Sequence, residues 1–434
     1  MIIDFSISNF RSIHQTQTLS FEATQDNHLE EYFIVNKGPY RLLKIAAILG
    51  ANASGKSNIL KAFYMLPLLM LEPAEDKSDR IEYDKFALSK DAANEYSQIK
   101  INFIVGESKY RYEISFNNLF IHSELLYCLP FDSKREHKVF ERETDSGSMV
   151  STLIWGDKYK SAKNNAILSG NLLYNRTVFG SFMKSNVDIP WMKDIVDWIK
   201  GYFMPIVTTQ NQRIHKYVTR MINDEEIDKE VLAEQLQKAD VGINKIMIEK
   251  VKQKIPQDLT EIIMADPKVP VELKNKLKNE EEISALKIKF DHQGEDGIVT
   301  FDYEMESRGT QRYFELSGLL LEMIKNPHFL AIDELECRLH PDLYQHFINS
   351  YLENVENSQL IFSTHNREFL KDRDSFRDDI VWFTEKSETG STHLYSLADF
   401  DTKELRNVSS RYNAYVNGRL GAVPNIGDTH VSFK

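Results

Sequence analysis

The sequence predicts an α/β fold in which a core with a buried parallel strand carries an antiparallel β lobe and a helical insertion. Three observations support this prediction. An apolar strand leads into a glycine-rich loop and a helix, alternating strand segments follow that helix, and a long middle stretch has helical period. The chain of 434 residues is long enough to form several lobes. We predict an N-terminal lobe at 1–190, a helical insertion at 191–285 and a C-terminal lobe at 286–434.

The glycine-rich stretch at residues 50–57, GANASGKS, matches the phosphate-loop pattern G-x-x-x-x-G-K-[ST] at every fixed position. It lies between an apolar run at 42–49 and a helix-like segment, a context that disfavours a chance glycine-rich turn. Such a loop turns backbone N–H groups toward a phosphate, and the helix N-terminus adds positive potential. We therefore predict bound ATP, with Lys56 on the β- and γ-phosphates and Ser57 on Mg²⁺. The residues assigned to the nucleotide are Gly50, Asn52, Ser54, Gly55, Lys56, Ser57 and Asn58.

Composition excludes several other classes of protein. The net charge of −12 argues against a wholesale polyanion binder, so any nucleic-acid site must be local. Two cysteines, Cys128 and Cys337, offer neither a disulfide framework nor a metal-binding spacing, which favours a reducing cytoplasm. The chain begins without a basic leader, and its longest apolar run, at 64–71, is too short to span a bilayer. We expect a cytoplasmic protein without a membrane anchor.

Alternating patterns predict most of the strands. Two short strands precede the glycine-rich loop, at 3–8 and 18–23, and three alternating segments at 99–105, 110–116 and 124–127 follow it. Turn residues at 106–107 and 117–118 make this a predicted antiparallel meander. Such a sheet is unusual beside a simple doubly wound nucleotide-binding core, and it indicates a particular class of phosphate-loop protein.

The middle of the chain, from Trp191 to about Ser284, is predicted to be helical because charged segments of helical period dominate it. Three prolines, at 256, 267 and 270, interrupt its heptads and exclude a long coiled coil. Strand patterns return at 286–290 and 298–301, where the chain re-enters the core.

A second strand completes the predicted nucleotide site. The apolar run at 329–332 ends in Asp333 and Glu334, which we assign to the Mg²⁺ shell and to activation of the attacking water. The following apolar strand ends at His365, where ligands gather in open α/β sheets. His365 is either a sensor of the γ-phosphate or a polar cap of its strand, and its position after the Asp-Glu strand favours the sensor.

A helix is predicted to begin near Ser307 and Gly309 and to end before Asn326 and Pro327. Its N-terminus is a second candidate anion site, placed to serve a nucleotide across a dimer. The alternative is an ordinary capped core helix, and these residues alone do not separate the two.

Together these motifs resemble the ABC-type ATPase heads of the RecF, SMC and OLD proteins over the whole chain except the helical insertion. The resemblance implies that Ser307 and Gly309 form the signature that contacts the γ-phosphate bound by the opposite subunit, although Glu306 and Arg308 depart from the usual pattern. It also implies that Arg11, in the opening element at 9–12, approaches the nucleotide, whereas the alternative is a strand-end arginine.

Bacterial anti-phage ATPases, namely RloA, the AbiL type and the AriA subunit of PARIS, are similar in four stretches. These are residues 50–58, 333–341, 363–366 and 418–424. This resemblance implies anti-phage defence by a homo-dimer or higher homo-oligomer that controls a separate effector, a nuclease or a toxin. No glutamine is identified as the Mg²⁺ sensor of the family, with Gln98 and Gln210 as candidates. Glu368, Asp372 and Asp374 imitate the acidic set of the OLD nuclease domain, but a solvated charge run is the better interpretation.

Two other functions compete with this one. A RecF- or SMC-like ATPase would bind DNA, and its local support is a basic stretch at Lys158, Lys160 and Lys163 around Tyr159. Asp157 in the same stretch favours a solvated loop instead. A scaffold that binds ATP without turnover is disfavoured because both Asp333 and Glu334 are present.

Overall fold

The computed structural model describes residues 1–92, 94–209, 214–254, 282–371, 375–400, 411–425 and 427–430, together with Met264 and Lys274. The chain forms two compact units. The first contains Met1–Thr209, Asn326–Cys337 and Leu352–Lys434, and the second contains Gln210–Lys325 and Arg338–Tyr351.

A five-stranded, mostly parallel sheet forms the core of the first unit. Its strand order is β14-β15-β5-β16-β17, and only β17 is antiparallel to its neighbour. The bounds are β5 Ile45–Gly50, β14 Phe329–Ile332, β15 Gln359–Thr364, β16 Val381–Lys386 and β17 Thr392–Ser396. Every residue of β5, β14 and β15 is buried, as continuous apolar runs require in a sheet covered on both faces.

A seven-stranded antiparallel sheet, in the order β10-β9-β8-β7-β6-β1-β2, is the second sheet of this unit. The bounds are β1 Ile2–Ser8, β2 Gln17–Ser20, β6 Ser97–Val105, β7 Ser108–Phe116, β8 Ile121–Pro130, β9 His137–Asp145 and β10 Val150–Trp155. Val105 pairs with Ser108 across the predicted two-residue turn, and Asn117 Oδ1 accepts N–H groups in the next turn. The predicted meander and the predicted α/β fold class are confirmed. A small hairpin, β3 Ile34–Lys37 with β4 Tyr40–Leu43, completes the strands of this unit.

Helix α2 packs between the two sheets. The Phe63 ring stacks on Phe5 of β1 at 4.4 Å between centroids, and it lies 4.9 Å from the ring of Phe329 on β14. Gln359 at the start of β15 ties the sheets directly, because its side-chain amide accepts from Ile2 N and donates to Ile2 O. The helices of this unit are α1 Glu30–Phe33, α2 Lys56–Leu71, α3 Ala162–Asn171, α4 Val178–Met183, α5 Pro190–Tyr202 and α10 Arg411–Val416.

The second unit combines helices with a three-stranded antiparallel sheet in the order β11-β12-β13. Its strands are β11 Lys245–Lys254, β12 Glu282–Gly294 and β13 Gly297–Asp302, and its helices are α6 Ile214–Asn223, α7 Lys229–Lys238, α8 Arg308–Lys325 and most of α9 Pro341–Asn354. Gly318 lets α8 approach α6 closely, since a Cβ there would lie 2.4 Å from Val218 Cγ1. None of the helices in the described ranges has the length and apolar character needed to cross a membrane.

The structure differs from the predicted helical insertion at 191–285 in two ways. Residues Lys245–Lys254 form a strand, so the prediction of helix was wrong there. All ten residues pair with residues 282–291 of β12, and this pairing with a segment later in the chain decides their conformation. Helix α5 belongs to the first unit because Trp198 stacks on Phe103 of β6 at 4.6 Å. The predicted helical segment at 271–280 and the prolines at 256, 267 and 270 lie outside the described residues, Lys274 excepted.

Candidate nucleotide-binding site

The glycine-rich loop connects β5 to α2, as predicted, and two of its glycines are required by close contacts. Gly55 caps α2 with φ of 112°, in the left-handed region, and a Cβ there would lie 2.0 Å from Thr392 Oγ1. A Cβ on Gly50 would lie 2.5 Å from both the carbonyl and the hydroxyl oxygen of Thr384. Any other residue at these two positions forces the loop away from the sheet.

Hydroxyl groups from both ends of the chain hold the loop in place. Ser54 Oγ hydrogen-bonds Thr384 Oγ1 at 2.6 Å, and Thr392 Oγ1 donates to the Ser54 carbonyl at 2.9 Å. Ser12 Oγ lies 2.7 Å from Thr392 Oγ1 and accepts the Asn58 amide at 2.7 Å. Sequence reasoning missed Ser12, Thr384 and Thr392 as supports because no local pattern distinguishes a hydroxyl that contacts a loop elsewhere in the chain, 46 residues away for Ser12 and more than 300 for the two threonines.

Lys56 is 6% exposed, and its ammonium lies against the loop that precedes it. Nζ donates to Gly50 O at 2.9 Å and to Ala51 O at 3.1 Å. Burial lowers the pKa of Lys56, while the negative charges of Asp333, Glu334 and Glu336 act in the opposite direction. The ammonium is therefore held near the carboxyl ends of the strands, next to the carboxylates that follow β14.

Ser363 of β15 positions the two predicted carboxylates. Its hydroxyl donates to Asp333 Oδ1 at 2.6 Å and accepts the Glu334 N–H at 2.8 Å. The Asp333 N–H donates to Val207 O at 2.8 Å, which fixes the end of β14 from its other side. Glu334 has φ of 51°, so the chain turns sharply after Asp333. This arrangement allows two adjacent carboxylates to serve different roles.

A third carboxylate, Glu336, joins the site beside His365. The His365 N–H donates to Glu336 Oε1 at 2.6 Å, and within the described chain Glu336 Oε2 is buried without a hydrogen bond. Burial and the charge of Lys56 lower the pKa of His365 against the opposing charges of Glu336, Glu334 and Asp333, and this direction favours the neutral imidazole. A neutral imidazole can donate one hydrogen bond, as a γ-phosphate sensor requires.

These residues fit a magnesium ion bound together with a nucleotide. Across the described ranges no group of three or more His, Cys, Asp or Glu side chains forms a metal cage. Mg²⁺ instead takes one or two protein oxygens and completes its shell with phosphates and water. Ser57, at the start of α2, and Asp333 are the residues that would hold it, and the unpaired acceptor of Glu336 fits a water of its shell.

The opening element at residues 9–12 meets the loop through Ser12 rather than through its arginine. The Arg11 guanidinium pairs with the Asp84 carboxylate at 3.0 Å, and the Arg11 backbone N–H donates to Asp84 O at 2.8 Å. Arg11 has φ of 52°, so the chain turns there, and the next residue, Ser12, hydrogen-bonds Thr392 and Asn58. The role of Arg11 at the nucleotide stays a prediction.

The predicted signature lies at the N-terminus of α8, in the second unit. Ser307 is exposed and caps the helix, because its hydroxyl accepts the Thr310 N–H at 3.0 Å. Gly309 packs against the backbone of Arg338, whose carbonyl oxygen would lie 3.0 Å from a Cβ at this position. An exposed serine at the start of an 18-residue helix has the geometry of an anion site.

The remaining candidates are the two glutamines, the acidic set at 368–374 and the basic stretch around Tyr159. Gln98 lies on β6 of the antiparallel sheet, whereas Gln210, Asp372, Asp374 and the side chain of Glu368 lie outside the described residues. In the basic stretch, Lys160 pairs with Asp157 at 2.5 Å and Lys158 Nζ lies 2.9 Å from His137 Nε2. These contacts favour the solvated loop over a nucleic-acid contact.

Residues 1–370 match the AAA ATPase domain family. The chain belongs to this family. Membership in the AAA ATPase domain family supports ATP binding. A search of curated proteins finds no match.

Similar solved structures include the SmcHead bound to the C-winged helix domain of ScpA, with 16% identity and a TM-score of 0.42, covering 91% of this chain and 97% of that one. The SMC head domain from Thermotoga maritima has 12% identity and a TM-score of 0.35, with 91% and 98% covered. The recombination mediator protein RecF has 13% identity and a TM-score of 0.33, with 91% and 98% covered.

Proposed function

We propose that this protein is a Mg²⁺-dependent ATPase that pairs through its nucleotide-binding heads and regulates an effector in bacterial anti-phage defence. The observation that carries the ATPase part is the convergence of Lys56, Asp333, Glu334 and His365 at the carboxyl edge of one parallel sheet. Ligands bind at this edge in open α/β sheets.

Each residue of the site has a separate role in ATP hydrolysis. The loop N–H groups and Lys56 bind the β- and γ-phosphates, and Ser57 with Asp333 holds Mg²⁺, which neutralises phosphate charge. Glu334 takes the proton from a water whose oxygen attacks the γ-phosphorus, and the bond to the bridging oxygen breaks to leave ADP. His365 donates a hydrogen bond to the γ-phosphate and so marks its presence.

Pairing of two heads is supported by the exposed Ser307 at the start of α8. A helix N-terminus with an exposed hydroxyl attracts an anionic group. In the paired state Ser307 and Gly309 contact the γ-phosphate held by the other copy, so ATP stabilises the pair by mass action.

The regulatory role is supported by the resemblance of residues 333–341 and 418–424 to anti-phage ATPases, and a toxin or nuclease encoded by the neighbouring reading frame would support it further.

A second candidate function is a DNA-binding ATPase of RecF or SMC type. Titration of duplex DNA at several salt concentrations separates the two functions, because phosphate contacts give binding that falls steeply with salt. Salt-dependent binding that strengthens with ATP favours the DNA-maintenance function, and absent or salt-insensitive binding favours defence.

Substitution of the phosphate-loop lysine tests the proposed nucleotide site. Lys56→Ala removes the side-chain charge aimed at the β- and γ-phosphates, and we expect calorimetry to show loss of ATP binding. Lys100→Ala, at a half-exposed lysine of the antiparallel sheet, is the matched control. Tight ATP binding by Lys56→Ala contradicts the proposed site.

A further inference from the structure

A cavity of about 820 Å³ opens beside the phosphate loop, and a C-terminal segment forms one of its walls. We call residues 418–425 the C-terminal loop. Gly50, Ala51 and Asn52 line one side of the cavity, and residues 422–425 line another. Neither the ATP motifs nor the proposed mechanism uses the C-terminal loop.

The cavity borders the two loop residues whose carbonyls hold the Lys56 ammonium. Lys56 Nζ donates to the carbonyls of Gly50 and Ala51, and both residues line the cavity. His365 lines it as well. Because the lysine of such a loop binds the β- and γ-phosphates, the cavity borders the loop residues that lie next to the γ-phosphate position.

Charge along the cavity fits an anionic group. Arg367 and Lys386 contribute two cations to its lining, against one carboxylate, Glu385. The lining therefore carries one more positive than negative side chain, which favours an anionic group.

The C-terminal loop is built to hold one conformation. The Tyr415 ring stacks on Phe383 of β16 at 5.5 Å, and its hydroxyl donates to Ala422 O at 3.2 Å. Tyr395 of β17 donates to Leu420 O at 2.7 Å.

Backbone conformation adds to this fixation. Gly421 has φ of 64°, and a Cβ there would lie 2.5 Å from the Tyr395 hydroxyl. Ala422 is 1% exposed and also adopts a left-handed φ, 56°, which an alanine accepts only where its surroundings enforce it. The loop is therefore a fixed wall of the cavity.

We infer that the C-terminal loop is part of the ATP site and closes it around the γ-phosphate, so that this wall distinguishes nucleoside triphosphates from diphosphates. The inference rests on the proposed ATP site and adds a binding element to it. A diphosphate ends at the β-phosphate, which the phosphate loop holds without help from the C-terminal loop.

Filling the cavity tests the inference. Val423→Trp places a large side chain at the wall, and Val150→Trp makes the same change at an exposed valine of β10 as a matched control. Affinities for Mg·ATP and Mg·ADP are measured by calorimetry on the full chain, with Glu334→Gln as the common background to prevent turnover. We expect Val423→Trp to weaken ATP binding at least tenfold and ADP binding less than twofold, and Val150→Trp to change neither.

A second variant tests the fixation of the loop without adding bulk. Tyr415→Phe keeps the ring stack on Phe383 and removes only the hydrogen bond to Ala422 O. We expect a severalfold loss of ATP affinity with unchanged ADP affinity, and no such change in Tyr112→Phe, which loses a buried hydroxyl in the antiparallel sheet.

Equal losses for ATP and ADP, or no loss for either in Val423→Trp, overturn the inference. If the unsubstituted protein binds ATP but Val423→Trp does not discriminate, only the role of the C-terminal loop fails. If the unsubstituted protein binds neither nucleotide, the proposed function fails with it.

Discussion

Thr392 packs against Gly55 so closely that a Cβ at Gly55 would lie 2.0 Å from Thr392 Oγ1. The same hydroxyl donates to the Ser54 carbonyl, although 338 residues separate Thr392 from Ser54. Thr392 is 2% exposed, so water does not replace these contacts. The conformation of the phosphate loop thus depends on the strand that begins at Thr392.

Removal of the Thr392 hydroxyl should therefore disturb nucleotide binding. We expect Thr392→Val to cost about 1–2 kcal/mol of unfolding free energy through the lost hydrogen bonds. We also expect the KM for ATP to rise severalfold while kcat changes little. Steady-state kinetics measure both constants. Thr392→Ser should restore the KM, and Thr144→Val, at a buried threonine of β9, should leave it unchanged; a KM that stays constant in Thr392→Val contradicts the prediction.

Asp333→Asn tests the magnesium role. Asparagine keeps an oxygen to accept from Ser363 but removes the charge that attracts the ion, so the fold should persist. We expect the Mg²⁺ concentration for half-maximal ATPase activity to rise at least tenfold. A Mg²⁺ titration of activity, with thermal unfolding as the control for folding, makes the comparison. A titration curve equal to that of the unsubstituted protein argues against the assignment.

Two variants should change head pairing in opposite directions. Glu334→Gln blocks proton removal from the attacking water while ATP still binds, so ATP should accumulate and hold two copies together. Ser307→Arg adds bulk and removes the hydroxyl from the helix N-terminus, so pairing and hydrolysis should fail while each copy binds ATP. Light scattering with and without ATP measures the mass of both variants.

A cross-link between cysteines introduced near Ser307 and Gly50 accompanies the mass measurement, because a constitutive larger assembly would mask pairing. An ATP-independent mass for Glu334→Gln, or full ATPase activity in Ser307→Arg, leaves the paired mechanism without support.

A buried ion pair in the antiparallel sheet gives a pH-dependent stability. Glu124 and Arg142 are fully buried, and burial raises the pKa of Glu124 to about 7 from its ordinary value of 4.5. Between these values the native state keeps a proton that the unfolded chain has lost, so the unfolding free energy falls as pH rises. Glu124→Gln should therefore gain stability relative to the unsubstituted protein from pH 5 to pH 8, by on the order of 3 kcal/mol.

Urea unfolding at both pH values measures this difference. Glu107→Gln, at an exposed turn, is the control and should show no pH-dependent gain. A stability difference for Glu124→Gln that is the same at pH 5 and pH 8 contradicts the raised pKa.

The sequence predicted the parts of the site whose signals are local. The phosphate loop, the Asp333-Glu334 pair and His365 each follow an apolar strand that periodicity and length identify. The role of Ser363 was not predicted because it depends on the residues that follow the neighbouring strand β14. The sequence of neither strand shows that β14 and β15 pair.

At strand β11 the prediction of a helix was wrong. Its ten residues include four lysines and one glutamate, which suit an exposed helix as well as a strand, and only the pairing with β12 selects the strand. The contact between Gly55 and Thr392 could not be predicted for the same reason. A glycine motif indicates that a neighbouring group packs closely against the loop, but it does not identify that group.

The position of β5 in its sheet affects synthesis of the chain on the ribosome. Both of its neighbours, β15 and β16, are translated after it, and 309 residues separate Gly50 from Gln359. Until those strands emerge, the nascent chain carries an unpaired apolar strand, which is the kind of segment that chaperones shield from aggregation. ATP cannot assist the early stages of folding, because the loop that binds it is not yet supported. Nucleotide binding thus begins only after translation has passed the last strand of the core.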